Sequence, residues 1–139
     1  MNFKNVSLKP APRINADAKL YWKAAAEDHL IFKCCQSCAH VHFPPRYLCP
    51  QCWSENLQWI KSKGLGTVYS LTIMRRAPMP EFETNIPYVV ALVDLDEGPR
   101  MMANIVGENA TDTQIGQRVA VCFEPRGDGM KVPQFHKSP

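Results

Sequence analysis

The sequence predicts a mainly β protein with one short N-terminal helix, in which a small cysteine-rich ribbon precedes a five-stranded barrel. Two observations predict it. Four cysteines stand as two C-x2-C pairs between residues 35 and 52, and beyond residue 64 β-branched and aromatic residues gather in short runs punctuated by Gly, Pro, Asp and Asn. Length sets the scale: 139 residues with 45% hydrophobic content suffice for one ordinary domain, or for two small modules sharing a core. The composition shifts divide the chain into an arm and helix over 1–29, a ribbon over 30–60 and a barrel over 61–139.

The first fourteen residues hold Pro10 and Pro12 and show no periodicity, which predicts an extended arm. Asn15 or Asp17 can then cap a helix over 16–28, with Leu20, Ala24 and one of Tyr21 or Trp22 on its apolar face. A short strand over 30–33 leads into the cysteines, and residues 57–63 form a linking segment. Strands follow at 66–75, 88–95, 100–106, 118–124 and 131–135. The second and third are joined by Asp96-Glu97-Gly98-Pro99, a tight-turn sequence that makes them a hairpin. Residues 111–116 supply a turn or one short helical segment. Five antiparallel strands at this spacing fit an OB-fold barrel, while strand counting alone leaves an SH3-like barrel or a small sandwich open.

Charge argues only weakly for a polyanionic partner. Sixteen Lys and Arg against thirteen Asp and Glu give +3, spread along the chain, and the nearest things to a patch are Lys61 with Lys63 and Arg75 with Arg76. Solvated surface charge is the simpler reading of both. No stretch approaches the roughly 20 apolar residues that cross a bilayer. The N-terminus lacks the apolar segment of a secretory signal, so the expected location is cytoplasmic, where reduced thiols bind metals more often than they form disulfides.

Cys35, Cys38, Cys49 and Cys52 are spaced C-x2-C-x10-C-x2-C. A two-residue spacer forms a tight turn whose amides point at the sulfurs, and two such knuckles can close a tetrahedron with metal–sulfur distances of roughly 2.3 Å. A shell of four thiolates has no open position for substrate or water, so the expected ion is structural: one zinc. Iron is the rival, since Cys49-Pro50-Gln51-Cys52 looks like a rubredoxin knuckle. An electron carrier would leave the second half of the chain without a role. Cys34 lacks the two-residue spacing, and Cys122 lies in the apolar run 119–123 as a core residue. His40 and His42 fall inside the metal loop and could substitute as ligands, whereas His29 and His136 show no partner.

Residues 30–133 resemble the family of OB-fold proteins with a rubredoxin-like zinc ribbon, described as acyl-CoA-associated. The resemblance is carried by Phe43-Pro44-Pro45-Arg46, Cys49-Pro50-Gln51-Cys52, Gly64-Leu65-Gly66-Thr67-Val68-Tyr69-Ser70 and Pro87-Tyr88-Val89-Val90-Ala91-Leu92-Val93. Leu95-Asp96-Glu97-Gly98-Pro99-Arg100 and Ile115-Gly116-Gln117-Arg118-Val119 complete it. Ala39 and Trp53 depart from the pattern, standing where such ribbons often have glycine after each knuckle.

The resemblance implies a non-catalytic accessory subunit that docks on a thiolase-like or hydratase/aldolase-type enzyme of lipid metabolism and helps bind an acyl-CoA thioester. The companions of this family include hydroxymethylglutaryl-CoA synthase and the hydratases and aldolases of steroid side-chain degradation. The residues are compatible with this, since no nucleophile, acid–base pair or open metal site can be named. CoA phosphates would need cations, and the candidates are Arg46 in the metal loop with Arg75 and Arg76 at the end of the first barrel strand. In an extended strand Arg75 and Arg76 point to opposite faces, so at most one should matter directly. The alternative from another class is a nucleic-acid-binding module, which should expose stacking aromatics interleaved with basic residues. A free-standing thioester hydrolase is a third reading.

Overall fold

The computed structural model describes residues 9–138. Residues 1–8 of the predicted arm lie outside the described part, and 9–14 have no regular structure. A single turn of 3-10 helix, Ala16–Ala18, is capped by Asn15, whose Oδ1 accepts the Ala18 N–H at 2.8 Å. It runs into α1, Lys19–Ala26. Asp28 at φ 65° ends the helix, with the Asp28 N–H on the Ala25 carbonyl and the His29 N–H on the Ala24 carbonyl, the paired bonds of a Schellman motif.

The buried face of α1 differs from expectation. Tyr21 and Ala25 are buried, and Leu20 is 51% exposed. Tyr21 turns inward because aromatic partners wait there: its ring lies 5.0 Å from Trp22, edge to face, and 5.5 Å from Phe43. No such partner draws Leu20.

The ribbon is a three-stranded sheet of order β2-β1-β3, built from β1 (Ile31–Cys35), β2 (Val41–His42) and β3 (Leu57–Lys61). The segment 57–63, expected as a linker, is therefore mostly strand: β3 pairs along the whole of β1, from Ile31 opposite Lys61 to Cys35 opposite Leu57. Its adjacent Trp59-Ile60 pair breaks the alternation that marks a strand in sequence. Ser62 then fastens the junction. Its N–H bonds the Leu30 carbonyl at 2.8 Å, its hydroxyl donates to Glu97 at 2.8 Å, and the Lys63 N–H reaches the same carboxylate at 2.9 Å.

The barrel comprises β4 (Leu65–Met74), β5 (Tyr88–Leu95), β6 (Arg100–Ile105), β7 (Arg118–Gly127) and β8 (Met130–Lys137). It closes in the order β4-β5-β6-β8-β7, with β7 returning to β4. Every pairing is antiparallel except β6 with β8, which meet in parallel at Ile105 and Phe135. One closed five-stranded sheet with this crossed order is the OB-fold, and the sandwich and the SH3-like barrel fall away.

Alternation does the rest: Val89, Ala91, Val93 and Leu95 of β5 face inward, joined by Val68, Met101, Ile105, Val119 and Phe135. Gly66 is demanded by closure, because a Cβ there would stand 2.7 Å from both the Asp94 carbonyl oxygen and Val93 Cγ1. Tyr21, Leu30 and Phe32 belong to the same apolar cluster as the barrel interior, so helix, ribbon and barrel share one core. No helix of the described residues is long and apolar enough to cross a membrane.

Candidate metal centre

The ends of β1 and the two C-x2-C turns bring Cys35, Cys38, Cys49 and Cys52 together, with all four sulfurs within 4.8 Å of one another. Cys35 Sγ is 3.5 Å from Cys52 Sγ, and Cys38 Sγ is 3.7 Å from Cys49 Sγ. A tetrahedron with metal–sulfur bonds of about 2.3 Å has edges of about 3.8 Å, so these separations suit four thiolates around one ion. They are far beyond the roughly 2.05 Å of a disulfide.

The two knuckles repeat each other. Cys35 N–H bonds the His40 carbonyl as Cys49 N–H bonds the Ser54 carbonyl, at 2.8 and 3.0 Å. Ala39 N–H returns to the Cys35 carbonyl as Trp53 N–H returns to the Cys49 carbonyl, at 2.8 and 2.9 Å. Amides converge on the sulfurs in the same pattern, Ser37 and Cys38 on Cys35, and Gln51 and Cys52 on Cys49, with His40 and Ser54 serving Cys38 and Cys52. Burial resists ionisation of Cys35, but these amides and the neighbouring thiols outweigh it and hold its thiol down at about 6. The first cysteine of each knuckle thus favours negative sulfur, the form that binds metal: Cys49 is lowered like Cys35, while at Cys38 and Cys52 the His40 and Ser54 amides are outweighed by burial and by the neighbouring thiols, which raise them. Ser37 and Ser54 hydroxyls bridge the knuckles at 2.9 Å.

Both departures from glycine sit where the backbone is left-handed. Ala39 has φ 65° and Trp53 φ 67°, a region in which a side chain costs roughly 1–2 kcal/mol. The four sulfurs converge despite it.

The other sequence candidates fare differently. Cys34 is outside the cluster, its Sγ near the Ala39 carbonyl at 3.9 Å. Cys122 is half-buried in β7, and burial pushes its thiol up to about 11, which makes it a poor nucleophile. His42 is buried and accepts the Arg46 N–H at Nε2, 3.3 Å away. Burial, followed by His40, Lys33 and Arg46, holds its pKa below the usual histidine value, so the ring stays neutral and braces the loop instead of joining the thiols.

Arg46, Arg75 and Arg76 are exposed, and among the described residues no carboxylate pairs with any of them. Arg75 and Arg76 fall beyond the end of β4 at Met74, so strand alternation does not set them on opposite faces as expected. By contrast the cations on the outer face of the barrel are consumed. Arg100 holds Asp94 at 2.6 and 3.2 Å while lying 3.5 Å above the Tyr69 ring, and Arg118 holds both oxygens of Asp96 at 2.8 Å.

Sequence reasoning missed an apolar groove of about 360 Å3 between α1, the metal loop and the outer face of β5 and β6. Tyr21, Trp22, Phe43, Phe82, Tyr88 and Met102 form its walls, and none of the three arginines named above lines it. Its polar groups are already engaged: Asn104 bonds the Val89 carbonyl and Gln134, and Arg126 bonds Glu124 and the Pro10 carbonyl. Aromatics scattered from Tyr21 to Tyr88 give no periodic signal, although the aromatic pair Tyr21-Trp22 was a partial hint.

Comparison with known proteins agrees with this geometry. Residues 22–58 match the family described as "ChsH2, rubredoxin-like zinc ribbon domain", and residues 59–124 match "ChsH2, C-terminal OB-fold domain". The chain is 35% identical over 132 residues to the "Probable enoyl-CoA hydratase alpha subunit" of Thermomonospora curvata, covering 95% of this chain but only 41% of that protein. It is 36% identical over 104 residues to a "DUF35 domain-containing scaffold protein" of Methanocaldococcus jannaschii, covering 73% of each. Among solved structures it superposes on a chain of "Ltp2-ChsH2(DUF35) aldolase" with a TM-score of 0.80 and 34% identity, covering 91% of this chain and 98% of that one. The fold, the thiol cluster and these matches together show that the chain belongs to the ChsH2/DUF35 family, in which a rubredoxin-like zinc ribbon precedes an OB-fold domain.

Proposed function

We propose that this chain is a non-catalytic accessory subunit that docks on a thiolase-like or hydratase/aldolase-type enzyme and helps hold its acyl-CoA substrate. The observation that carries the reading is the match along 98% of a chain that stands, by its name, in an aldolase with Ltp2. The scaffold and hydratase-subunit names of the other relatives support it. The site chemistry points the same way, since the best-organised polar cluster of the described residues offers four thiols to one ion and would leave no coordination position for a substrate.

We assign Cys35, Cys38, Cys49 and Cys52 as ligands of one zinc per chain. A zinc ion bound there supplies folding free energy to a ribbon too small to hold itself together. Arg46, Arg75 and Arg76 are the proposed contacts for CoA phosphates, on the grounds that they are exposed and unpaired with carboxylates. The nucleic-acid reading loses support from the outer barrel face, where Arg100 and Arg118 are each neutralised by an aspartate and Arg100 covers the face of Tyr69.

The test is purification of the tagged full-length chain from its source cell, followed by identification of what remains bound. A thiolase-, hydratase- or aldolase-type subunit at fixed stoichiometry is the expected result. Calorimetry of CoA against that complex should show affinity that falls with Arg46→Ala, Arg75→Ala or Arg76→Ala. Turnover of acyl-CoA by the isolated chain, lost on a single substitution, would overturn the accessory reading.

A further inference from the structure

Trp53 stands at a backbone position that asks for glycine. The two knuckles share the same pair of closing hydrogen bonds, so Ala39 in the first is the counterpart of Trp53 in the second, at φ 65° and 67°. One geometry therefore accepts a methyl group in one knuckle and carries an indole in the other. Packing does not account for the indole: Trp53 is 76% exposed, and although its backbone N–H bonds the Cys49 carbonyl, no hydrogen bond, ion pair or ring contact engages its side chain among the described residues. Tyr47, two residues before Cys49 on the same knuckle, is 64% exposed, and Arg46 beside it is exposed too. The fold thus keeps a strained backbone in order to present a large apolar side chain to solvent.

We propose that Trp53, with Tyr47 exposed on the same knuckle, is the anchor by which the ribbon docks on the partner enzyme, the indole entering an apolar pocket on that subunit. This rests on the accessory-subunit reading given above. Trp, Tyr and Arg are the residues that dominate binding energy at protein interfaces, in a setting of polar neighbours that exclude water. Gln51, Glu55 and Asn56 are exposed around the same knuckle and supply such a rim. The knuckle is also rigid, held by its amide bonds and by the Ser37–Ser54 bridge, so docking the indole orders little that is not already ordered.

The test uses the full-length chain and the thiolase-, hydratase- or aldolase-type subunit that co-purifies with it, each purified and recombined. Trp53→Ala, which copies the first knuckle, should keep its metal content and melting behaviour yet bind the partner at least tenfold more weakly. Hydroxyl-radical footprinting of the unaltered chain should show Trp53 oxidised in the free protein and protected at least fivefold in the complex. Affinity within twofold of wild type, together with an unprotected Trp53, would overturn the anchor while leaving the accessory reading intact. Failure of the unaltered chain to bind any such subunit would overturn that reading and the anchor with it. Self-association that Trp53→Ala abolishes, or protection of Trp53 by CoA alone, would assign the indole to a second copy or to a nucleotide and refute the proposal.

Discussion

Replacing Glu124 by glutamine should cost this fold about 2–3 kcal/mol. Glu124 lies on β7 with a side chain only 6% exposed, and its Oε1 pairs with Lys9 Nζ and Arg126 Nε, both at 3.0 Å. Those two cations are 13% and 11% exposed, so neither finds much water once the carboxylate is gone. Breaking one side of a buried ion pair costs roughly 3–5 kcal/mol, and a value at or somewhat below the lower end, about 2–3 kcal/mol, is appropriate here because Arg126 keeps its bond to the Pro10 carbonyl and glutamine can still accept from Gln134. With an unfolding entropy of about 2.1 cal/mol/K per residue over 139 residues, each kcal/mol moves the melting temperature by about 3.4 °C, for a drop of about 7–10 °C. The pH dependence provides an internal check. Burial resists ionisation of Glu124, yet Lys9 and Arg126 outweigh it and hold its pKa below the ordinary carboxylate value. Its contribution to stability is therefore full above the unfolded pKa of about 4.3 and is lost as pH falls through the lower folded value. Glutamine mimics the protonated acid, so melting curves of wild type and variant followed by circular dichroism should differ most at pH 6–7 and begin to converge only as pH falls below the unfolded value of about 4.3. A variant that melts within 2 °C of wild type at neutral pH, or a gap that widens in acid, would refute the reasoning.

Ala39→Gly should stabilise the ribbon, because relief of roughly 1–2 kcal/mol of left-handed strain exceeds the 0.4–1 kcal/mol that glycine adds to the unfolded chain's entropy. A rise of about 2–3 °C in melting temperature is expected. Gly66→Ala should lower it by about 4–9 °C, since a Cβ meets the Asp94 carbonyl at 2.7 Å and β4 must shift against β5. Cys38→Ser and Cys49→Ser should yield metal-poor, poorly soluble protein by elemental analysis, while Cys34→Ser keeps about one zinc per chain. Equal damage from all three would place the ligands in the wrong register.

The barrel was legible because β5 and β6 alternate cleanly and a tight turn joins them, so burial follows the pleat from Val89 to Leu95. The thiol cluster was legible for a different reason: a two-residue spacer fixes the distance between sulfurs whatever surrounds it. What escaped depends on tertiary partners. β3 hides behind the Trp59-Ile60 pair and becomes a strand only because β1 lies beside it, and β2 is two residues long. Tyr21 displaced Leu20 from the helix face because Phe43, in a different part of the chain, completes its pocket. Arg75 and Arg76 were placed by strand alternation, but β4 stops at Met74. The αL conformation of Trp53 could be suspected from its place after the knuckle, although its exposure could not.

The ribbon and the barrel look like separable parts, yet Tyr21, Leu30 and Phe32 are buried in the same cluster as Val68, Val93 and Phe135. Ser62 ties the seam from both sides, to the Leu30 carbonyl and to Glu97 of the β5–β6 turn. Modularity in this protein is therefore a property of sequence and topology and not of thermodynamics. A ribbon cut away would strip one wall from the barrel's interior, and a barrel expressed alone would expose what Phe32 now covers. Exchange of ribbons between relatives should succeed only where the residues equivalent to Tyr21, Leu30 and Phe32 travel with the segment, so the unit of inheritance here extends from the helix through the last strand.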